Sequence, residues 1–379
     1  MLAIVGAGCA SVGPIEDAAP GERPRLDSDE AGLWMQMDAV ETRLKSSGRV
    51  VTDPELNAYV RTTICRLSQE YCEDIRFYIV RTPHFNATMA PNGYMEVWTG
   101  LLLRADNEAQ LAYVLGHEIG HYQRRHTLQR FRDARDKTAL AGFFQIAAAA
   151  AGVGYAGSLG QLLAYASMLS FSRDQEREAD DVGFTMMVGA GYDPSEAPRI
   201  WEALIAERDA SDAPEPSVFF STHPATADRV DYLRSRAESS PAGDERYRGR
   251  ERHQAAIAPY RAEWLRDEFR KRKFAETEVV VERLRASGER IDELWFVTGE
   301  FYRFRDGDGD SERAIEAYHS AIRTGTAPVQ THRSLGLVYW HAGRRADALS
   351  AVRDYLAAAP DAPDAEMIGV YIDELEKEQ

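Results

Sequence analysis

The chain has 379 residues, 44% of them hydrophobic, and a formal net charge of −16 at pH 7. This length and apolar content predict a globular protein of two or three domains, each able to bury a hydrophobic core. The acidic balance argues against nucleic acid or an anionic lipid surface as a partner, because both attract basic patches.

Residues 1–29 predict a leader and a tether rather than a folded element. The opening MLAIVGAGCAS resembles a bacterial lipoprotein processing site that ends at Cys9, although no basic residue precedes the apolar run. A merely apolar N-terminus is the alternative. Residues 13–29 are rich in Pro, Gly and acids, which indicates a flexible tether. If Cys9 is acylated, Cys65 and Cys72 can form a disulfide in an oxidising compartment, with two buried free thiols as the alternative.

A small β-sheet is predicted between helices. Residues 52–70 open with the capping signal Thr-Asp-Pro-Glu and continue at helical spacing, whereas residues 75–80 alternate as a strand. The turn signal at residues 91–93 lies between two strand-like runs and predicts a hairpin. Asp106 or Asn107 can cap the helix that follows.

Residues 138–172 contain no charged side chain and are rich in Ala and Gly. Their length would allow one membrane span, but Ala and Gly contribute little transfer free energy, and no aromatic belt frames the run. We therefore expect soluble packed helices, with a membrane-inserted segment as the alternative. Further helices are predicted over residues 172–187 and 197–206.

Residues 238–254 are polar, charged and interrupted by Pro and Gly, which predicts a linker between a catalytic domain over residues 30–237 and a second domain. Residues 255–379 show self-similarity at a period of roughly 34 residues, which is typical of tetratricopeptide repeats. We expect about three helical hairpins that form a binding scaffold. The residues on repeat positions are Trp295, Gly299, Tyr302, Ala314, Tyr318, Ala321, Leu335, Gly336, Tyr339, Ala348 and Pro360.

The clearest chemical signal is the pentapeptide HEIGH at residues 117–121. On a helix, residues four apart lie on one face, so His117 and His121 can point both imidazoles at one zinc ion. Glu118 then borders the open ligand position, where a general base is needed. This is the arrangement of a metallopeptidase.

A zinc ion held for hydrolysis normally takes three protein ligands and a water. Glu176 and Asp180 share one face of a predicted helix, whereas Glu178 points elsewhere. We predict Glu176 as the third ligand, with Glu178 as the alternative. Asp180 is predicted to accept the outer N–H of a zinc-bound histidine and to hold its tautomer. The other histidines are expected to be packing or surface residues, namely His84, His126, His253, His319, His332 and His341.

Three motifs occur in one order, HEIGH, then SRDQEREADDVG, then STHPATADRV. Over roughly residues 52–236 the chain resembles the membrane-associated zinc metallopeptidase family of the CAAX prenyl endopeptidase, HtpX and BepA. A protease domain followed by tetratricopeptide hairpins is most similar to the BepA type. The resemblance implies a mainly α fold with a small β-sheet, in which a gluzincin-like metallopeptidase domain precedes an α-helical repeat domain.

The resemblance also implies one Zn²⁺ per chain with His117, His121 and Glu176 as its ligands, and Glu118 as the catalytic base. His223 and Arg229 match family positions proposed to stabilise the charge of the tetrahedral intermediate. In some relatives the equivalent of His223 reaches the metal as a fourth ligand and holds the enzyme latent. The alternatives are a surface loop histidine at position 223 and, at position 229, a helix-face arginine that pairs with an acid.

We therefore expect a zinc endopeptidase of the bacterial cell envelope that degrades unfolded or misassembled proteins. Its expected place is the periplasm, attached to the outer membrane by a lipid on Cys9 or soluble there. An extended polypeptide substrate would add to an exposed sheet edge, at residues 86–89 or 96–99. The repeats would recruit substrate or a protein partner. The alternative function is a largely latent protease that acts as a chaperone-like adaptor for envelope assembly.

Overall fold

A computed structural model describes residues 15–135, 170–211, 218–224, 227–240, 246–286 and 291–377. The predictions for Cys9 and for residues 138–169 lie outside these ranges. As predicted, the described part of the chain is mainly helical with a small β-sheet. None of the helices described is both long and apolar enough to cross a membrane.

The elements before residue 136 are α1 Asp29–Lys45, α2 Pro54–Leu67, β1 Arg76–Val80, β2 Ala87–Met89, β3 Tyr94–Trp98, α3 Thr99–Arg104, α4 Glu108–Gln123 and α5 His126–Arg135. From residue 170 onward come α6 Arg173–Gly189, α7 Glu196–Asp209, α8 Val218–Thr222 and α9 Ala227–Ser239. The remaining helices are α10 Arg250–Ile257, α11 Arg261–Phe269, α12 Phe274–Ala286, α13 Ile291–Arg305, α14 Asp310–Arg323, α15 Gln330–His341, α16 Arg345–Ala358 and α17 Ala365–Lys377.

Helix α2 begins one residue later than its capping signal predicted. The side chain of Asp53, rather than that of Thr52, accepts hydrogen bonds from the backbone N–H groups of Glu55 at 3.0 Å and Leu56 at 2.9 Å. Pro54 occupies the first helical position, where its missing N–H costs nothing. Near the end of the helix, Cys65 forms a disulfide with Cys72.

The sheet has the strand order β1-β3-β2, with β3 parallel to β1 and antiparallel to β2. The hairpin of β2 and β3 is confirmed. Because β3 pairs on both sides, the prediction that residues 96–99 form an edge strand is wrong, and β2 is the edge on that side. Beyond β1, the backbone N–H of Val51 donates to the carbonyl of Ile79 at 2.8 Å, which partly covers the opposite edge.

Residues 15–28, predicted as part of a flexible tether, pack against the first half of the fold. The hydroxyl of Tyr71 donates to the carbonyl of Ala18 at 2.6 Å. The N–H of Ala18 in turn donates to the carbonyl of Gln123, the last residue of α4, at 2.8 Å. The N-terminal segment therefore lies along the end of the helix that carries the HEIGH pentapeptide.

Residues 246–253, predicted as part of a linker, are also packed. The carbonyl of Arg248 accepts the N–H of Ala109 at 3.0 Å, and that of Tyr247 accepts the N–H of Asp193 at 3.0 Å. Their charged side chains form ion pairs such as that of Arg252 with Glu108, at 3.1 Å. The polar composition that predicted a linker thus arises from pairing with the first part of the chain.

One hydrophobic core extends from Leu56 to Phe301, so helices α10 to α13 pack with the sheet and the zinc-motif helix. A buried charge cluster lies at this junction, in which Arg104 at the end of α3 pairs with Glu207 at 2.6 Å and with Glu268 at 2.9 Å. Buried charges of this kind require such pairing, because an isolated one would be very costly.

A second core joins α14 to α17. Helix α13 packs against α14, and α15 packs against α16. At one contact, a Cβ added to Gly299 would meet the ring of Tyr318 at 2.3 Å, and at the other a Cβ on Gly336 would meet Val352 at 2.6 Å. Both glycines thus permit a close approach of paired helices.

Candidate metal centre

The HEIGH helix, α4, crosses the middle of the first core. The side chain of Asn107 caps it by accepting the N–H of Gln110 at 3.0 Å, as one of the two predicted caps. Every residue from Glu108 to Tyr122 is buried, so the helix has no solvent-facing side in this segment. His117 and His121 project from it toward α6.

Four side chains form one buried cluster, namely His117, His121, Glu176 and His223. The Nε2 atoms of His117 and His121 are 3.1 Å apart, and Nε2 of His117 lies 3.2 Å from Nδ1 of His223. Oε1 of Glu176 lies 3.4 Å from Nε2 of His121 and 2.9 Å from Nδ1 of His223. Three segments far apart in sequence thus contribute one set of donor atoms.

The cluster fits a zinc ion. Ligand atoms about 2.0–2.1 Å from a tetrahedral zinc stand roughly 3.3 Å from one another, which is close to the spacings found here. Burial also holds the pKa of both His117 and His121 below its ordinary value, so these imidazoles are neutral. Neutral nitrogens with facing lone pairs repel each other unless a cation or a proton lies between them, which is the chemistry of a metal site.

The carboxylate of Glu176 is ionised although it is buried. Burial by itself raises its pKa, but His223, His121 and Arg229 together hold the pKa well below the usual range of a glutamate. Burial by itself lowers the pKa of His223, but the neighbouring carboxylates of Glu176 and Glu118 overcome that effect and raise it. The predicted alternative ligand, Glu178, lies outside the cluster.

Small residues bring α6 close to α4, a feature that the sequence analysis missed. A Cβ on Gly116 would lie 3.1 Å from the Cα of Gly183, and a Cβ on Gly120 would lie 3.2 Å from the Cα of Ala179. The close approach places Glu176 beside the two histidines of α4. The signal in the sequence was the spacing of four residues in each pair, Gly116 with Gly120 and Ala179 with Gly183.

Asp180 lies against His117. Its Oδ1 lies 3.0 Å from Nδ1 of His117 and accepts the hydroxyl of Tyr113 at 2.7 Å. The indole N–H of Trp201 donates to that hydroxyl at 3.2 Å, which extends the network into α7. Burial opposes ionisation of Asp180, but Arg229 and His117 lower its pKa to about 2.

Arg229 is buried and bonded to two carboxylates. Its Nε donates to Oδ2 of Asp180 at 2.8 Å, and its Nη1 lies 2.6 Å from Oε2 of Glu176. The guanidinium also stacks over the ring of Trp201 at 5.1 Å. In this arrangement Arg229 holds the carboxylates around the cluster. Such pairing with acids is the alternative that the sequence analysis gave for Arg229.

His223 follows the short helix α8 and packs against it. Its ring is stacked on that of Phe219, with centroids 4.7 Å apart, and the backbone N–H of His223 donates to the carbonyl of Phe219 at 2.8 Å. Nδ1 faces the cluster, while Nε2 lies 3.5 Å from Oε1 of Glu118. One ring therefore contacts both the candidate metal position and the candidate base.

Glu118 borders the cluster without belonging to it. Burial raises the pKa of its carboxyl to about 7, against the opposing effects of His223 and of a hydrogen bond from the backbone of Met89. A carboxyl with a pKa near neutrality can take up and release a proton at working pH. The bond to Met89 also joins this group to strand β2.

Comparisons with known proteins place these features in a family. Residues 50–237 match the model of peptidase family M48. The beta-barrel assembly-enhancing protease of Escherichia coli K12 is 30% identical over 216 residues, which cover 54% of this chain and 44% of the relative. The mitochondrial metalloendopeptidase OMA1 of Schizosaccharomyces pombe is 34% identical over 155 residues, or 40% of this chain and 44% of that protein.

The metalloprotease LoiP of Escherichia coli K12 is 30% identical over 170 residues, which cover 43% of this chain and 63% of LoiP. The matched region spans less than half the length of the beta-barrel assembly-enhancing protease and of the yeast enzyme. In this chain the shared region contains all four residues of the buried cluster.

Proposed function

Residues 50–237 belong to peptidase family M48, which makes the chain a metalloprotease, and we propose that it is a zinc-dependent endopeptidase that cleaves unfolded or misassembled proteins of the bacterial cell envelope. The observation that carries the proposal is the buried cluster of His117, His121, Glu176 and His223, with the carboxyl of Glu118 beside it. These residues supply ligands for one ion per chain and a base.

His117 and His121 would hold zinc through Nε2, and Glu176 through its carboxylate. Zinc at such a site lowers the pKa of a water toward about 7 and polarises the scissile carbonyl. The ionised carboxylate of Glu118 would take a proton from the attacking water, and the resulting carboxylic acid would pass it to the nitrogen of the leaving amine.

Strand β2 is the proposed docking edge for the substrate. The N–H of Trp98 donates to the carbonyl of Asn86 at 3.1 Å, and that of Ala90 to the carbonyl of Tyr94 at 2.7 Å, so residues 86 and 90 face β3. The residues between them alternate in direction, so the backbone groups of Ala87 and Met89 point away from β3, where the N–H of Met89 bonds the carboxyl of Glu118 and Ala87 is buried. An extended chain would have to displace the contacts that bury this edge, and it could then pair with the freed backbone groups whatever its side chains, which favours unfolded substrates.

His223 is proposed to act as a fourth ligand in the resting site. A zinc ion with four protein ligands has no open position for a water. Displacement of His223 by substrate would open the site and would leave its ring free to donate to the oxyanion. Arg229 would then serve chiefly to hold Asp180 and Glu176 in place, in keeping with its bonds to both.

The proposed setting is the periplasm. The disulfide of Cys65 with Cys72 suits an oxidising compartment, and one relative is named for a role in β-barrel assembly. Attachment to the outer membrane through a lipid on Cys9 is part of the proposal and is tested by the membrane association of a Cys9→Ser protein. Loss of that association is expected, whereas retention would exclude lipidation as its cause.

Helices α13 to α16 are proposed to be tetratricopeptide-type hairpins that recruit substrate or a protein partner. The proposal is supported by the close helix contacts at Gly299 and Gly336, which occupy the small-residue positions of that repeat. The domain division into residues 30–237, 238–254 and 255–379 remains a proposal, modified by the packing of residues 246–253 on the first part.

The decisive experiment is Glu118→Gln, assayed on casein and for zinc content. The amide cannot accept the proton, so cleavage should fall by roughly 10²–10⁴-fold while the zinc content remains that of the wild type. Glu70→Gln, an exposed position away from the cluster, is the matched control and should keep full activity. Unchanged cleavage by Glu118→Gln would remove Glu118 as the base.

The same variant distinguishes the second candidate function. A latent protease that acts as a chaperone-like adaptor would support envelope assembly without cleaving anything. Cells that carry only the Glu118→Gln protein should lose the envelope function if proteolysis is the activity. Normal envelope function in those cells would favour the adaptor.

A further inference from the structure

His126 contacts the back of the candidate zinc ligand His121. The Nδ1 atoms of the two rings are 2.9 Å apart, and His126 is fully buried. On its other side, Nε2 of His126 lies 3.1 Å from Oε2 of Glu178, whose side chain is 59% exposed. A chain of hydrogen bonds thus leads from the cluster to a carboxylate at the surface.

The proton positions along this chain follow from its geometry. Nε2 of His121 faces the cluster, so a His121 that binds metal through Nε2 carries its proton on Nδ1. Nδ1 of His126 must then accept the hydrogen bond that Nδ1–H of His121 donates, so the proton of a neutral His126 lies on Nε2. A carboxylate is the natural acceptor at that point, and Glu178 supplies it.

The backbone places His126 beside His121 at some cost. Arg125 has a φ of 51°, in the left-handed region that residues other than glycine seldom adopt. This turn ends α4 and starts α5 at His126. Two ion pairs hold it, from Arg125 to Glu22 at 2.6 Å and to Glu30 at 2.8 Å, so the N-terminal segment secures the position of His126.

His117 has a matching arrangement, because Asp180 lies 3.0 Å from its Nδ1. A partner on the outer nitrogen fixes the orientation and tautomer of a zinc-bound histidine and raises its basicity. Glu178, predicted as an alternative ligand, and His126, predicted as a packing residue, would have this role together.

We propose that His126, held by Glu178, is a positioning residue that sets the metal affinity of the site by orienting His121. The proposal rests on the proposed zinc function, since it concerns a ligand of that metal. It identifies neither residue as a ligand. It predicts instead that the affinity for zinc depends on a hydrogen-bond acceptor at the position of His126 Nδ1.

The test is a titration of the apo protein with Zn²⁺ against a competing chelator. His126→Phe keeps a planar ring without an acceptor and should weaken zinc binding by roughly 10–100-fold. His126→Asn places an amide oxygen near the position of Nδ1 and should recover most of that loss. Glu178→Ala should weaken binding less than His126→Phe, because its partner His126 remains.

His253→Phe is the matched control for burial. His253 is also fully buried, and it bonds the hydroxyl of Tyr59 and the carbonyl of Leu102 rather than a residue of the cluster. This variant should lose thermal stability and keep its affinity for zinc. The visible spectrum of the cobalt-substituted protein gives a second measurement, which should change for His126→Phe alone of the two.

The outcomes separate the two proposals. A wild-type protein that binds no zinc would contradict the proposed function itself. A wild type that binds zinc, with His126→Phe of unchanged affinity, would overturn the positioning role alone. Equal losses for His126→Phe and His126→Asn would also overturn it, because the effect would then come from packing and not from the acceptor.

Discussion

A Cβ atom placed on Gly183 would lie 2.6 Å from the backbone nitrogen of His117. Side chains do not approach backbone so closely, so glycine is required where α6 crosses α4. This contact fixes the distance between the helix that carries His117 and the helix that carries Glu176. The ligand set therefore depends on a residue that binds nothing.

Gly183→Ala should accordingly push the two helices apart. We expect a loss of about 1–3 kcal/mol in the free energy of unfolding, together with weaker zinc binding, because overpacking shifts the backbone. Gly189→Ala is the control on the same helix, since a Cβ there meets nothing within 4 Å. It should be neutral or stabilise the protein by up to about 1 kcal/mol. Urea unfolding and zinc titration measure both effects, and identical results for the two variants would contradict the requirement.

Glu176→Ala should bind zinc much more weakly than the wild type. The change removes the carboxylate from the cluster. It also removes one partner of Arg229, whose Nη1 lies 2.6 Å from that carboxylate in the wild type, and so leaves its positive charge less balanced near the metal position. Elemental analysis after dialysis is the measurement. Glu178→Ala is the comparison and should retain far more zinc than Glu176→Ala, because Glu178 contacts the cluster only through His126. The reverse result would transfer the ligand role to Glu178.

His223→Ala should retain zinc and cleave casein faster than the wild type. Three ligands remain, and removal of the fourth opens a position for water. Zinc content must be measured alongside cleavage, because loss of the resting ligand raises activity, whereas loss of the oxyanion donor or of the metal lowers it. A fall of roughly 10²-fold with zinc retained would show that loss of the oxyanion donor outweighs the opening of the resting site.

Folding stability should fall in acid partly through His253. Burial lowers the pKa of this imidazole to about 4 in the folded protein, below its value of about 6.5 in an unfolded chain. Between these values the unfolded state binds the proton and the folded state does not, so stability decreases as pH falls from about 6.5 to about 4. The contribution is about 3 kcal/mol.

The measurement is urea unfolding of the apo protein at several pH values, with a chelator present so that metal binding contributes nothing. His253→Gln removes the titrating group and should show a smaller loss of stability between pH 7 and pH 4. Parallel curves for the wild type and the variant would show that His253 is not protonated on unfolding.

Local chemistry made part of the fold predictable. A helix cap and a turn need only neighbouring residues, so the sequence narrows the cap to Asp106 or Asn107 and locates the turn at residues 91–93. The order of strands depends on which distant strand pairs with which. The sequence therefore left two candidate edge strands, and the pairing of β1 with β3 in the tertiary structure makes β2 the edge. The packing of residues 246–253 likewise depends on acids far away in the chain, such as Glu108.

By itself, the sequence determined the chemistry of this protein. Two histidines four residues apart on one helix, with a glutamate between them, restrict the site to metal-assisted hydrolysis, because helical periodicity alone aligns them. Tertiary structure decided what surrounds that chemistry. The buried bonds of Arg229, the entry of His223 into the cluster and the contact of His126 with His121 all join residues from separate segments. Sequence spacing cannot predict those distances, because they arise only when α6, α8 and the turn at Arg125 pack against α4.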